Sequence, residues 1–171
     1  MKASNDFSAV ERHWTAFLVS AGRVFTKLEQ GAKTNGKSSA WFGRKINERR
    51  TDPLLCYLWH ARNADEHTLE NVTKLNPGYV KVTQAHEIDP KEQQAMHAHF
   101  EKDGRPYAIL GIVEGVWPHP ELMEVMDRGK HYMPPTTHLG QKLAETSPAH
   151  IGDLALAYLS AMLAEAEHLA T

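Results

Sequence analysis

One stretch constrains this chain more than any other: Thr51-Asp52-Pro53-Leu54-Leu55-Cys56-Tyr57-Leu58-Trp59-His60-Ala61-Arg62-Asn63-Ala64-Asp65-Glu66-His67. It opens with a chemical helix start. Asp52 can cap free backbone N–H groups, and Pro53 suits the first helical position, where no N–H is needed. The pattern predicts a helix running to the stop at Asn76-Pro77-Gly78. Leu54, Leu58, Ala61, Leu69 and Val72 recur at helical spacing and define a face for a core. Arg62 and Asp65 fall into or beside that arc. At about 100° per residue, Cys56, His60, Asn63 and His67 make a second stripe on the far side. Solvated helix faces more often carry Lys and Glu. This one carries groups that titrate, coordinate or transfer protons.

The rest of the chain bounds what surrounds that helix. A length of 171 residues predicts a single domain, 1–171, with room for a real core. Nineteen Lys and Arg stand against 21 Asp and Glu, so net charge alone does not drive nucleic-acid binding. One cysteine forms no internal disulfide and fits a reducing compartment. No apolar run reaches membrane-spanning length and no signal-peptide core opens the chain, so the expectation is a soluble cytoplasmic protein without membrane contact.

Residues 6–30 read as an amphipathic helix, with a capping box at Ser8 and Glu11 and a stop at Gly31. Its stripe carries Phe7, Trp14, Phe17 and Phe25, which reads as core packing. Gly36-Lys37-Ser38 invites a phosphate-loop reading, but the motif needs an earlier glycine and a preceding strand, and a helix precedes it here. Ser38 or Ser39 reads as the cap of a short helix through Trp41, Phe42 and Ile46. Arg44, Lys45, Arg49 and Arg50 make that helix the most basic part of the chain: a solvated face, or a phosphate-contacting one. After the central helix the period changes to two. Strands are expected over Tyr79–Ile88 and Tyr107–Trp117, a short helix over Lys91–Lys102, and a hairpin around Asp127-Arg128-Gly129. Pro134 to Gly140 reads as a stiff loop. A last helix runs from Ser147-Pro148 to about Ala170, and Leu156, Leu159 and Leu163 widen its apolar surface enough for a second chain. The fold class is therefore α+β: a helical bundle with a small antiparallel β-sheet inserted between the central and C-terminal helices, at about 79–133.

Arg62-Asn63-Ala64-Asp65-Glu66-His67 resembles the motif of the HEPN superfamily of helical-bundle proteins: Arg, then a polar residue such as Asn, then His after four to six intervening residues. The resemblance covers this motif and the helix around it. It implies a homodimer with the motif near its cleft, and either a metal-independent endoribonuclease or a catalytically silent RNA-binding relative, with Arg62, Asn63 and His67 as catalytic residues and Asp65, Glu66 and His60 in support. The inserted sheet and the proline loop depart from the simplest members.

The chemistry can be stated without the family. RNA cleavage requires a 2′-hydroxyl to lose a proton while charge builds on the phosphate. His67 titrates near neutrality and suits proton transfer. Arg62 offers a permanent planar fork to phosphate oxygens. Asn63 can orient either partner. Glu66 and Asp65, four and three residues after Arg62, can hold the guanidinium. Arg62 and His67 diverge by roughly 140° on an ideal helix, so a curled side chain or a second subunit has to close the gap. The plainer reading is an Arg62–Asp65 pair that sets helix register, with His67 on the surface. Another reading takes Cys56, His60, His67, His97, His99, His131 and His138 as a source of zinc or nickel ligands, but their spacing matches no established pattern and no cofactor is expected. The remaining alternative is a helical-bundle dimer that binds a small molecule, a metal or an unknown protein partner without catalysis.

Overall fold

The computed structural model describes the backbone of residues 2–68, 71–84, 87–102 and 111–170, and their side chains except at 2–6, 66–68, 84, 99–102, 111–112 and 170. Among the described residues the arrangement is α+β: five helices, with small antiparallel sheets between the central and later helices. The chain divides into two compact units, one of residues 1–76 and 120–171 and one of residues 77–119.

The first unit begins with α1 (Lys2–Ala32), α2 (Gly36–Thr51) and α3 (Pro53–Thr68). Helix α1 starts earlier than the pattern predicts, so Ser8 lies inside it and Gly31 in its last turn. Its Trp14, Leu18 and Phe25 are buried in the core. Asn35, not Ser38 or Ser39, caps α2: Asn35 is the extended residue (φ −151°, ψ 163°), and its side chain accepts the Ser38 N–H at 2.8 Å. Trp41, Phe42 and Lys45 of α2 face inward. Asp52 caps α3 as its sequence predicts, accepting the Leu55 N–H at 2.9 Å. Leu54, Leu55, Tyr57, Leu58, Ala61 and Ala64 are all buried, so α3 is enclosed on most sides.

Helix α3 is shorter than its pattern. Thr73–Asn76 is not helical but forms a strand, β1. Val72 is buried as expected, but outside the helix, where its carbonyl accepts the Met123 N–H at 3.0 Å. The β-branched pair Val72-Thr73 favours extended backbone, and a pairing partner is at hand. Leu69 lies outside the described residues.

The second unit holds β2 (Tyr79–Gln84), α4 (Pro90–Lys102) and β3 (Gly111–Val116). Strands β2 and β3 are antiparallel, with Tyr79 opposite Val116 and Val82 opposite Val113. Asp89 caps α4 through the Lys91 N–H at 2.8 Å. Residues 103–110, which include the start of the strand expected over Tyr107–Trp117, lie outside the described residues.

Strand β4 (His119–Leu122) pairs with β1. Two tight hairpins follow, β5 (Val125–Asp127) with β6 (Lys130–Tyr132) and β7 (Thr137–His138) with β8 (Gln141–Lys142). Each turns through two residues of positive φ, Arg128-Gly129 and Leu139-Gly140, the geometry that matches strand twist in two-residue loops. The expected proline loop thus leads, with Pro135 fully buried, into the second hairpin. The last helix, α5 (Pro148–Ala170), buries Ile151, Ala155, Tyr158, Leu159 and Met162 and leaves Leu156 and Leu163 exposed. A polar cluster ties it to α2. Glu165 accepts from Trp41 Nε1 at 2.7 Å and Lys45 Nζ at 3.0 Å, and Tyr158 donates to Glu48 at 2.8 Å. Among the described residues, no helix is long and apolar enough to cross a membrane.

Candidate functional site

The second stripe of α3 meets the β5–β6 hairpin. His60 and Asn63 lie three residues apart and so share a helix face. Asp127, the last residue of β5, is buried against them. Its Oδ2 lies 2.7 Å from His60 Nδ1 and accepts Asn63 Nδ2 at 3.0 Å. The Tyr132 ring, on β6, stacks on the His60 ring with centroids 3.6 Å apart and planes 10° apart. Burial pushes the Asp127 carboxyl up. The hydrogen bonds from Asn63 and His60, with the charges of His60 and Arg128, outweigh that and hold it below its ordinary value. Asp127 is therefore an ionised, acceptor-only group at neutral pH. Against that acceptor His60 Nδ1 is the donor nitrogen, which leaves Nε2 as the ring nitrogen turned away from the carboxylate. The His60 side chain is 21% exposed, enough for solvent or a small group to reach it.

One turn earlier, Cys56 is half-buried. Burial and then Asp52 push its thiol up, and Arg49 only partly opposes them. A thiol is a weak nucleophile compared with a thiolate, so the chemistry of this stripe rests on the imidazole.

A second His–Asp pair repeats the arrangement with the partners exchanged. Asp52, at the start of α3, accepts from His138 of the β7–β8 hairpin at 2.9 Å and from the Leu139 N–H at 2.6 Å. Both groups are buried, and His138 meets the Tyr158 ring edge-on at a centroid distance of 6.0 Å. The cap of α3 thus also anchors a hairpin, and it holds Leu139 at a φ of 47°, which residues other than glycine seldom adopt.

The six residues singled out in the sequence divide between faces. His60 and Asn63 join Asp127. Successive residues lie about 100° apart, so Arg62 turns away from Asn63. Its stem runs against α1 at Gly22, where an added Cβ would stand 2.7 Å from Arg62 Cδ, and its guanidinium lies 5.8 Å from the Trp59 ring centre. Asp65 also faces α1 and accepts from Thr15 Oγ1 at 3.2 Å. The side chains of Glu66 and His67 lie outside the described residues. Two turns separate His67 from His60, so their backbone positions share one face of α3. The basic run on α2 also divides. Lys45 is buried against Glu165 and Glu48, Arg49 lies 3.6 Å over the Trp59 ring, and Arg44 and Arg50 are exposed.

Of the other histidines, His131 pairs with Glu124 at 2.9 Å and His119 meets the Trp117 carbonyl at 2.8 Å, and the side chain of His99 lies outside the described residues. Among the described residues no three His, Cys, Asp or Glu side chains converge as metal ligands.

Sequence reasoning missed Asp127 and Tyr132 as site residues, and found Arg49 only as one of four cations on α2. A signal existed for the burial of Asp127 and for the inward side of Arg49. Val125 and Asp127 alternate on one strand face, and Val125 belongs to the core, so the carboxyl had to enter with it. Arg49 follows Trp41 and Lys45 at four-residue steps along the inward face of α2.

Fold and site together define an α+β helical-bundle protein with a histidine oriented by a buried aspartate. Compared with protein-family models, curated proteins and solved structures, the chain matches none.

Proposed function

We propose that the chain is a HEPN-like protein that acts on RNA as a metal-independent endoribonuclease, with its proton-transfer chemistry on the His60–Asn63–His67 stripe of α3. The observation that carries this reading is the 2.7 Å contact between His60 Nδ1 and Asp127, which leaves Nε2 as the nitrogen to take a proton. His60 takes the 2′-hydroxyl proton, and the oxygen attacks the adjacent phosphorus as the 5′-oxygen leaves. His67, on the same helix face, returns a proton to that leaving oxygen. Asp127 holds the imidazole and stabilises it once protonated. Asn63 steadies Asp127 rather than meeting the phosphate. Arg62 supplies positive charge on the neighbouring face. Exposed Leu156 and Leu163 on α5 support a homodimer.

A second reading has an observation of its own. The Asp52–His138 pair fastens one hairpin to α3, and the His60–Asp127 pair would do no more than fasten the other. The protein is then an interaction module, or the catalytically silent RNA-binding relative.

Incubation with single-stranded RNA in excess chelator separates the two. The catalytic reading expects cleavage at a ribonucleotide, leaving a 2′,3′-cyclic phosphate, and none where the 2′-hydroxyl is absent. Intact RNA under all metal-free conditions sinks it. Sedimentation of the same preparation checks the dimer, which a monomer at micromolar concentration removes.

A further inference from the structure

Arg49 is used by neither hydrogen-bonded pair. It reaches from α2 across the bundle to α1 and α3, half-buried, with its guanidinium 3.6 Å from the Trp59 ring centre and 5.2 Å from that of Phe25. Arg62 approaches the same Trp59 ring from further along α3, at 5.8 Å. We propose that Arg49, laid on Trp59 beside Arg62, forms a phosphodiester-binding site that holds the backbone of a single-stranded RNA. The choice of RNA rests on the function proposed above; the cationic site rests on its geometry.

Stacking occupies the face of a guanidinium and leaves its five N–H donors in the plane, where a phosphate oxygen is best met. Among the described residues, Arg49 forms no ion pair. The acid that bears on it electrostatically from α1 is Glu29, which pairs with Lys33 at 3.3 Å. Arg50, exposed on α2, adds positive charge nearby. Burial first, and then Arg50, hold the Arg49 guanidinium below its ordinary value, and Glu29 only partly opposes them. Beneath it the slot among Gly22, Phe25, Leu58, Trp59 and Leu159 is apolar and about 20 Å³, room for about one water. Gly22 contributes by its size: a side chain there would displace Arg62 from α1 and from the ring.

The test measures binding of a short single-stranded RNA by full-length wild type, Arg49→Gln, Arg49→Lys and Arg44→Gln, at several salt concentrations. Melting temperatures are recorded in parallel. Arg49→Gln should weaken RNA binding about ten- to a hundredfold, the scale of charge-assisted hydrogen bonds, and flatten the log–log salt slope by about 0.7. Arg49→Lys keeps the charge but loses the planar fork, and should fall between. Arg44→Gln, on the exposed side of α2, should bind like wild type. The site is refuted if Arg49→Gln and Arg49→Lys both bind RNA as wild type does, whatever their melting temperatures; Arg49 then only packs on its rings. It is also refuted if inorganic phosphate binds through Arg49 and RNA does not. Binding that depends on Arg49 in a protein that cleaves nothing removes the ribonuclease and keeps the site. Cleavage with binding indifferent to Arg49 does the reverse.

Discussion

Asp127 is a buried acid kept ionised by its neighbours. Its folded pKa is depressed relative to the unfolded chain. Its contribution to stability is therefore complete above the ordinary carboxylate pKa, about 4, and is lost as pH falls through the lower folded value. Asp127→Asn should melt below wild type at neutral pH, and the gap should close as pH drops below about 4. Thermal melts of the two proteins from pH 7 to 2 check this, and a gap that stays constant into acid contradicts it. Little of this was legible beforehand. Asp127 lies 64 positions from Asn63, and its turn-forming neighbours Arg128 and Gly129 accounted for it locally. Helical periodicity found His60 and Asn63 because both lie on one helix. It carries no information about which hairpin closes over them.

At the scale of elements, α3 ties the first unit together, and its two ends were read unequally. The start was legible because capping is local chemistry: Asp52 and Pro53 announce it whatever the tertiary contacts. The end was not, because Val72 continues the apolar spacing while its backbone joins a strand. Asp52 also does more than a cap. Its carboxylate accepts from Leu55, His138 and Leu139, so α3 and the β7–β8 hairpin share it. Asp52→Ala should cost about 2–4 kcal/mol, combining the lost cap with a buried imidazole left unpaired. Asp89→Ala removes an exposed cap from α4 and should cost about 1 kcal/mol or less. Urea unfolding of both variants measures the difference. Equal costs would mean that Asp52 acts as a helix cap alone.

For the whole molecule, the class was legible because each helix carries its own stripe and each sheet its own turn residues. The residues that meet across the bundle were not: Arg49 with Trp59, Asp127 with His60 and Asp52 with His138 join separate segments, and composition does not encode such meetings. The central claim is that the His60–Asp127 pair transfers protons rather than only fastening a hairpin. His60→Asn tests it most directly. Asparagine keeps a donor near the Nδ1 position, within reach of Asp127, and deletes the basic nitrogen. The account predicts a melting temperature close to wild type and RNA cleavage in chelator reduced about a hundred- to ten-thousandfold. A His60→Asn protein that is equally stable and cleaves RNA at the wild-type rate would contradict it.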